Sequence, residues 1–218
     1  MDKKQFSDND RAFYSDGYKL GSDAVHKGLK NEGLFQSIRS LYSEVDNLIN
    51  SLMSYAKSNN VRVDCAKGCD WCCHQPVYAI SHEIHYLSDY ITTNFTSLKI
   101  EEVITRAQIK NEVVEKLSES ELLNHKAACP LLENGACIAY EARPMACRIY
   151  LSMNVKSCKE FYTTPEKEDI IVELMDFPLR VGKMMNEGFK AALKSGNRNS
   201  TEFRLEHGLL VELTNEQV

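Results

Sequence analysis

The 218-residue chain lacks several things, and each absence narrows what it can do. No apolar run approaches the roughly 20 residues that span a bilayer, so no membrane-crossing helix is expected. The opening residues, Met1-Asp2-Lys3-Lys4-Gln5-Phe6-Ser7-Asp8, have no apolar stretch of the secretory kind. Positive charge is not in excess: 26 Lys and Arg against 31 Asp and Glu leave −5, which gives no electrostatic footprint for nucleic acid or an anionic membrane surface. There is no GxGxxG and no Walker-type loop, so nucleotide and dinucleotide binding have no motif support. Strand-type alternation is nearly absent, and a mostly α fold is expected. Cysteine is missing from the whole chain except two blocks.

Those two blocks dominate the reading. Cys65, Cys69, Cys72 and Cys73 fall within nine residues, and Cys129, Cys137, Cys147 and Cys158 follow. Clustered thiols suit a soft metal, which needs several thiolates converging on one point. A disulfide framework is the alternative, since eight is an even number. With no export signal the expected location is cytoplasmic, where thiols stay reduced, and the adjacent pair Cys72-Cys73 suits disulfides poorly.

The spacing constrains the first block. On a straight helix its four cysteines would share one face, but Cys65 and Cys73 would lie ~12 Å apart along the axis. Thiolates on one zinc sit about 3.8 Å apart, given ~2.3 Å bonds in a tetrahedron. The segment is therefore a loop folded around the metal, or its cysteines do not all share one ion. Gly68 favours a loop. In the second block Gly135 supplies a turn just before Cys137. Arg143 and Arg148 bracket Cys147, where positive charge would favour thiolate over thiol; ordinary carboxylate pairing is the other reading of these arginines. Both are carried as candidate cofactor-binding residues, and the eight cysteines as candidate metal ligands.

Around these blocks the pattern is helical. Residues 1–33 read as a polar N-terminal extension, loosely attached or docked through Phe6, Phe13, Tyr14 and Tyr18. Residues 34–218 read as a single helical cysteine-cluster domain, with motifs at 65–73 and 129–158. Leu34, Ile38, Leu41, Val45, Leu48, Leu52 and Tyr55 mark an amphipathic helix over 34–57. Residues 75–80 read as extended, and Ser81 as an N-cap with Glu83 in the first turn. Helices are expected over 98–117 and 119–125, from Thr164-Pro165 onward with Pro178 as a break or kink, over 179–193, and over 201–213. Residues 126–162 read as irregular. His74, directly after the cysteine pair, is the histidine nearest the centre, and Trp71 is expected to pack over it. His82 and His85 read as surface histidines, and Met175, Met184 and Met185 as core filler.

Three stretches together carry a family resemblance: Cys65-x3-Cys69-x2-Cys72-Cys73, then Ile80-Ser81-His82-Glu83, then Cys129-Pro130-Leu131 through Gly135-Ala136-Cys137 to Arg143-Pro144-Met145-Ala146-Cys147-Arg148. The chain resembles the YkgJ-type cysteine-cluster proteins, described as zinc- or iron-chelating domains, over about residues 60–158. The resemblance implies metal ions as partners and thiolate-held zinc or iron, or an iron–sulfur cluster, as cofactor. It extends to bacterial flagellin lysine N-methylases, which implies S-adenosylmethionine and a protein substrate as a further alternative. A zinc-stapled module that recognises a protein partner is another. Cys65-x3-Cys69-x2-Cys72 also resembles the motif of radical S-adenosylmethionine enzymes, but the helical pattern that follows does not suit their β/α barrel.

Overall fold

The structure, a computed structural model, describes residues 7–28, 31–167, 169–198 and 200–214. The mostly α expectation holds. The helices are α1 (Asp8–His26), α2 (Asn31–Ser58), α3 (Ser81–Asn94), α4 (Ser97–Val114), α5 (Glu119–Asn124), α6 (Met145–Ile149), α7 (Val155–Thr163), α8 (Asp176–Ser195) and α9 (Leu205–Thr214). The short strands among the described residues are β1 (Tyr78–Ile80), β2 (Leu132–Glu133), β3 (Ala136–Cys137) and β4 (Glu202–Arg204). The chain divides into two compact units, one from residues 1–61 with 175–200 and one from residues 62–174 with 201–218.

The first unit is α1, α2 and α8. Residues 1–33, polar in sequence, hold a 19-residue helix from Asp8, while Phe6 lies outside the described residues. Ser7 caps α1 and forms a capping box with Asp10. Arg180 of α8 donates to Asp10 Oδ1 at 2.9 Å and to Ser7 Oγ at 3.1 Å. Glycine lets α1 and α8 approach backbone to backbone. A Cβ on Gly17 would overlap the Met185 carbonyl, and one on Gly188 would overlap the Tyr14 carbonyl. Ile38, Leu41 and Val45 of α2 and Met185, Phe189 and Leu193 of α8 are fully buried. The apolar stripe of α2 then surfaces: Leu48 and Leu52 are half-buried and Tyr55 is exposed.

The second unit packs α3, α4 and α9 around Ile84, Leu87, Ile91, Val103, Ala107 and Leu209. β1 pairs antiparallel with β4, Tyr78 opposite Arg204. The buried Lys110 of α4 and Glu206 of α9 approach at 3.9 Å, and Arg204 Nε lies 3.3 Å from Glu206. α3 begins at Ser81, so Ile80 rather than Ser81 is the cap residue. The Ile80 N–H donates to the carboxylate of Glu83 at 3.1 Å.

Two stretches differ from the sequence expectation. The helix expected from Thr164-Pro165 does not form. Thr164 instead ends α7, and a proline just past a helix end stops it. A turn follows at 165–166, and further on Leu174 bridges to Ser152 while the Met153 N–H donates to the Glu173 carbonyl at 2.8 Å. Pro178 sits in the first turn of α8, where a missing N–H costs nothing. The stretch 126–162, expected to be irregular, contains β2, β3, α6 and α7, all short. Thr201–Leu213 is likewise divided between β4 and α9.

Candidate metal centre

The cysteine-bearing segments are local structures tied to one another by backbone and carboxylate hydrogen bonds. Residues 65–70 form a loop with Gly68 at φ +94°, and Trp71–His74 make one turn of 3-10 helix. β2 and β3 form a hairpin through Asn134 at φ 50° and Gly135 at φ +75°, the positive values that an Asn-Gly turn supplies between tight strands. The Gly135 turn faces the Gly68 carbonyl, since a Cβ there would lie 3.9 Å from it. The Cys129 N–H donates to the Cys73 carbonyl at 2.7 Å, and the Cys65 N–H to the Ser152 carbonyl at 3.1 Å. Asp64, paired with Arg62 at 2.7 Å, accepts the Val155 N–H at the start of α7.

Glu83 does two jobs at once. It is buried, and while one oxygen takes the Ile80 N–H, the other accepts the Met145 N–H at 2.8 Å. It therefore closes the N-termini of α3 and of α6, the short helix that carries Cys147.

All eight cysteines are free thiols; seven are half-buried and Cys158 is buried. Backbone amides are aimed at four sulfurs. Trp71 N–H points at Cys69, Leu131 N–H at Cys129, Ala139 N–H at Cys137, and Ser152 N–H at Cys65. In the first three the donor lies two residues after the cysteine. Such donors favour the thiolate. Burial opposes them, pushing Cys129 up to about 11 and holding Cys65, Cys69, Cys137 and Cys158 above the ordinary thiol range. Cys147 is held well above that range, by burial first and then by neighbouring thiols. Cys72 is raised by its hydrogen bond with Cys73 and then by burial.

The arginines take different positions. Arg143 lies 3.8 Å from the Tyr140 ring and donates to the Tyr140 carbonyl at 2.8 Å; its charge favours the thiolates of Cys65, Cys137 and Cys147. Lys67 sits 4.8 Å from the same ring. Arg148 is buried and donates to the carbonyls of Arg143 and Glu141, so it braces the loop that presents Arg143.

Cys65, Cys69, Cys72 and Cys158 line a cavity of about 10 Å³ together with Trp71, Tyr150, Ser152 and Val155. Tyr162 lies 5.2 Å from Trp71 and 4.9 Å from the His74 ring, whose Nδ1 is 3.1 Å from the Asp70 carbonyl. The sulfurs are gathered but not drawn onto one point: among the described residues no three His, Cys, Asp or Glu side chains are placed to hold one ion. The donor set nonetheless fits a soft cation. It offers reduced sulfur, amides directed at it and an arginine beside it, and thiols whose ionisation is opposed by burial, a cost that a bound cation would offset.

Residues 64–169 match the model of the CxxCxxCC family, described as "Putative zinc- or iron-chelating domain". This segment, a little under half of the chain, is similar to that cysteine-cluster family. The family's metal-chelating character agrees with the expectation from the cysteine spacing. Neither a search of curated proteins nor one of solved structures found a match. Among the described residues no helix is long and apolar enough to cross a membrane.

Sequence spacing pointed to the cysteines, to Gly68 and Gly135, and to Trp71. It did not point to Ser152, Tyr150 or Tyr162. Nothing in the spacing marks Ser152, which reaches the sulfurs only because its turn folds back onto Cys65.

Proposed function

We propose that the protein binds zinc or iron through cysteine thiolates drawn from both sequence groups. The observation that supports this most directly is the set of eight free thiols interlocked across the two groups, four of them with amides aimed at sulfur. Cys65, Cys69, Cys72, Cys73, Cys129, Cys137, Cys147 and Cys158 would hold the metal. Arg143 offsets the negative charge of the thiolates, and Arg148 keeps Arg143 in place. Bound zinc would act as a redox-inert clamp, whereas iron, alone or in an iron–sulfur cluster, would add electron transfer. Free thiols also suit a reducing compartment such as the cytosol.

An iron–sulfur cluster is the second reading, favoured by the central place of Cys72, which lies within electrostatic reach of Cys65, Cys69, Cys137, Cys147 and Cys158. A methyltransferase activity toward protein lysine rests on the flagellin-methylase resemblance alone. A calorimetric titration with S-adenosylmethionine tests that branch. Metal, iron and sulfide assays on protein purified without oxygen test the main proposal. Stoichiometric metal is expected: a brown protein with sulfide identifies the cluster, and a colourless one with zinc identifies the clamp. Protein free of metal after reconstitution would refute metal binding.

A further inference from the structure

α4 carries no cysteine, yet one of its faces meets the second cysteine segment. Lys99, Glu102, Arg106 and Lys110 recur at three- and four-residue spacing and so stand in a row along the helix. Lys99 Nζ donates to both oxygens of Glu133, at 2.9 and 3.2 Å. Arg106 Nη1 donates to the Leu132 carbonyl at 3.1 Å, and its guanidinium lies 3.7 Å from Glu133. Lys110 Nζ donates to the Ala127 carbonyl at 3.2 Å. The C-terminal end of α4 is held in turn, since Arg204 of β4 donates to the Val114 carbonyl and to Asn111 Oδ1, both at 3.1 Å.

Two of these contacts fall beside cysteines. Leu132 of β2 is the register partner of Cys137 on β3, so Arg106 grips the strand directly opposite that cysteine. Ala127 stands two residues before Cys129. Lys110 is buried, and so is Glu206, whose Oε2 lies 3.9 Å away and has no hydrogen bond among the described residues. The ammonium gives its hydrogen bond to the carbonyl of the cysteine segment instead. A bond from a charged donor is stronger than one between neutral groups, and burial keeps water from replacing it.

We propose that α4 is the platform that sets the second cysteine segment for metal, with Arg106 and Lys110 as positioning residues that act through the backbone around Cys137 and Cys129. Neither side chain offers a metal a soft donor. Their effect is to hold Ala127 and Leu132 against a fixed helix, so that less loop-closure entropy opposes the gathering of the two thiols. The inference rests on the metal-chelating reading, and it adds the residues outside the cysteines that tune affinity.

The test titrates reduced full-length protein with zinc chloride against a chromophoric chelator, then measures hydrogen exchange at saturating zinc. Arg106→Gln should raise the zinc dissociation constant about ten- to hundredfold, the scale on which groups that orient ligands act. Arg106→Lys, which keeps a charged donor, should recover part of that loss. Exchange in Arg106→Gln should quicken at the amides of Cys129, Leu132 and Ile138 and stay at the wild-type rate at Cys65, Cys69 and Cys73, whereas a general structural defect would loosen both segments alike. Lys110→Met should give the same pattern; because Lys110 is buried, the half-exposed Arg106 decides the matter where that variant does not fold. Wild-type affinity in Arg106→Gln, no difference between the two Arg106 variants, or equal loosening of both cysteine segments would overturn the platform while leaving metal binding intact. No zinc bound by the wild-type protein would refute the metal-chelating reading itself.

Discussion

The helical unit of α1, α2 and α8 and the cysteine-bearing segments are each held together internally, by different means. In α1, α2 and α8, long helices meet through glycine-permitted backbone contact and a buried apolar stripe, with Phe189, Met185 and Leu193 fully enclosed. Fully burying one such side chain contributes about 1.5–3 kcal/mol. In the cysteine-bearing segments, residues 62–74 and 126–163, the elements are short, and individual hydrogen bonds hold them: Cys129 to Cys73, Cys65 to Ser152, Asp64 to Val155, Glu83 to Met145. Each unit has a buried apolar core of its own, with Ile84, Leu87 and Ile91 in the second. The second also gathers thiols whose loops must close against chain entropy, and a cation is the natural source of that closure.

The largest way to break the comparison is to spoil the helical unit alone. Gly188→Val places a side chain onto the Tyr14 carbonyl, and Gly17→Val does the same at Met185. Each should cost more than about 3 kcal/mol, since the clash is with backbone. Urea unfolding followed in α1, α2 and α8 should show the same loss with metal bound and with metal chelated.

Next comes Glu83→Ala, which leaves the Ile80 and Met145 amides unpaired at buried helix starts. A loss of about 2–3 kcal/mol is expected in the second unit. Glu83→Gln, which keeps one acceptor, should recover part of it. Unfolding of the two variants under one set of conditions checks the order. Ser152→Ala is smaller still in stability but should weaken metal binding about tenfold, because residues that orient ligands typically control affinity on that scale. A zinc titration against a competing chelator reads it directly.

The smallest effect sharpens the helical side. Hydrogen bonds from Ser7 and then Arg180 hold the Asp10 carboxyl below the usual carboxylate range. Its folded value lies below its unfolded one, so its contribution is present above about pH 4 and is lost as pH falls through the lowered folded value. Asp10→Asn should flatten the acid side of the unfolding profile of α1 and leave zinc content unchanged.

The contrast between the units also explains what could be read from sequence. The stripe Leu34, Ile38, Leu41 and Val45 declares α2 because helical burial has a period. The cysteines declare a soft-metal site because their chemistry is narrow. Local rules fail between them. Thr164-Pro165 has the form of a helix start, yet Pro165 follows the end of α7 in a turn, and Leu174 pairs with Ser152 instead of joining a helix. α7 itself escaped notice because its cap, Asn154, is helped by Asp64, ninety-one residues earlier in the chain than Val155. The role of Glu83 was half visible: an acid in the first turn of a helix is a local signal, but its second bond, to Met145, belongs to tertiary structure. The place of Cys158 beside Cys65 was hidden for the same reason, since only the fold brings the two to one cavity.

Hydrogen exchange on the metal-loaded and chelated protein tests the central claim most directly. Chelation should strip protection from residues 65–73 and 129–158 while α1, α2 and α8 keep theirs. Unchanged protection in the cysteine segments, or its collapse in all three helices along with them, would contradict the account.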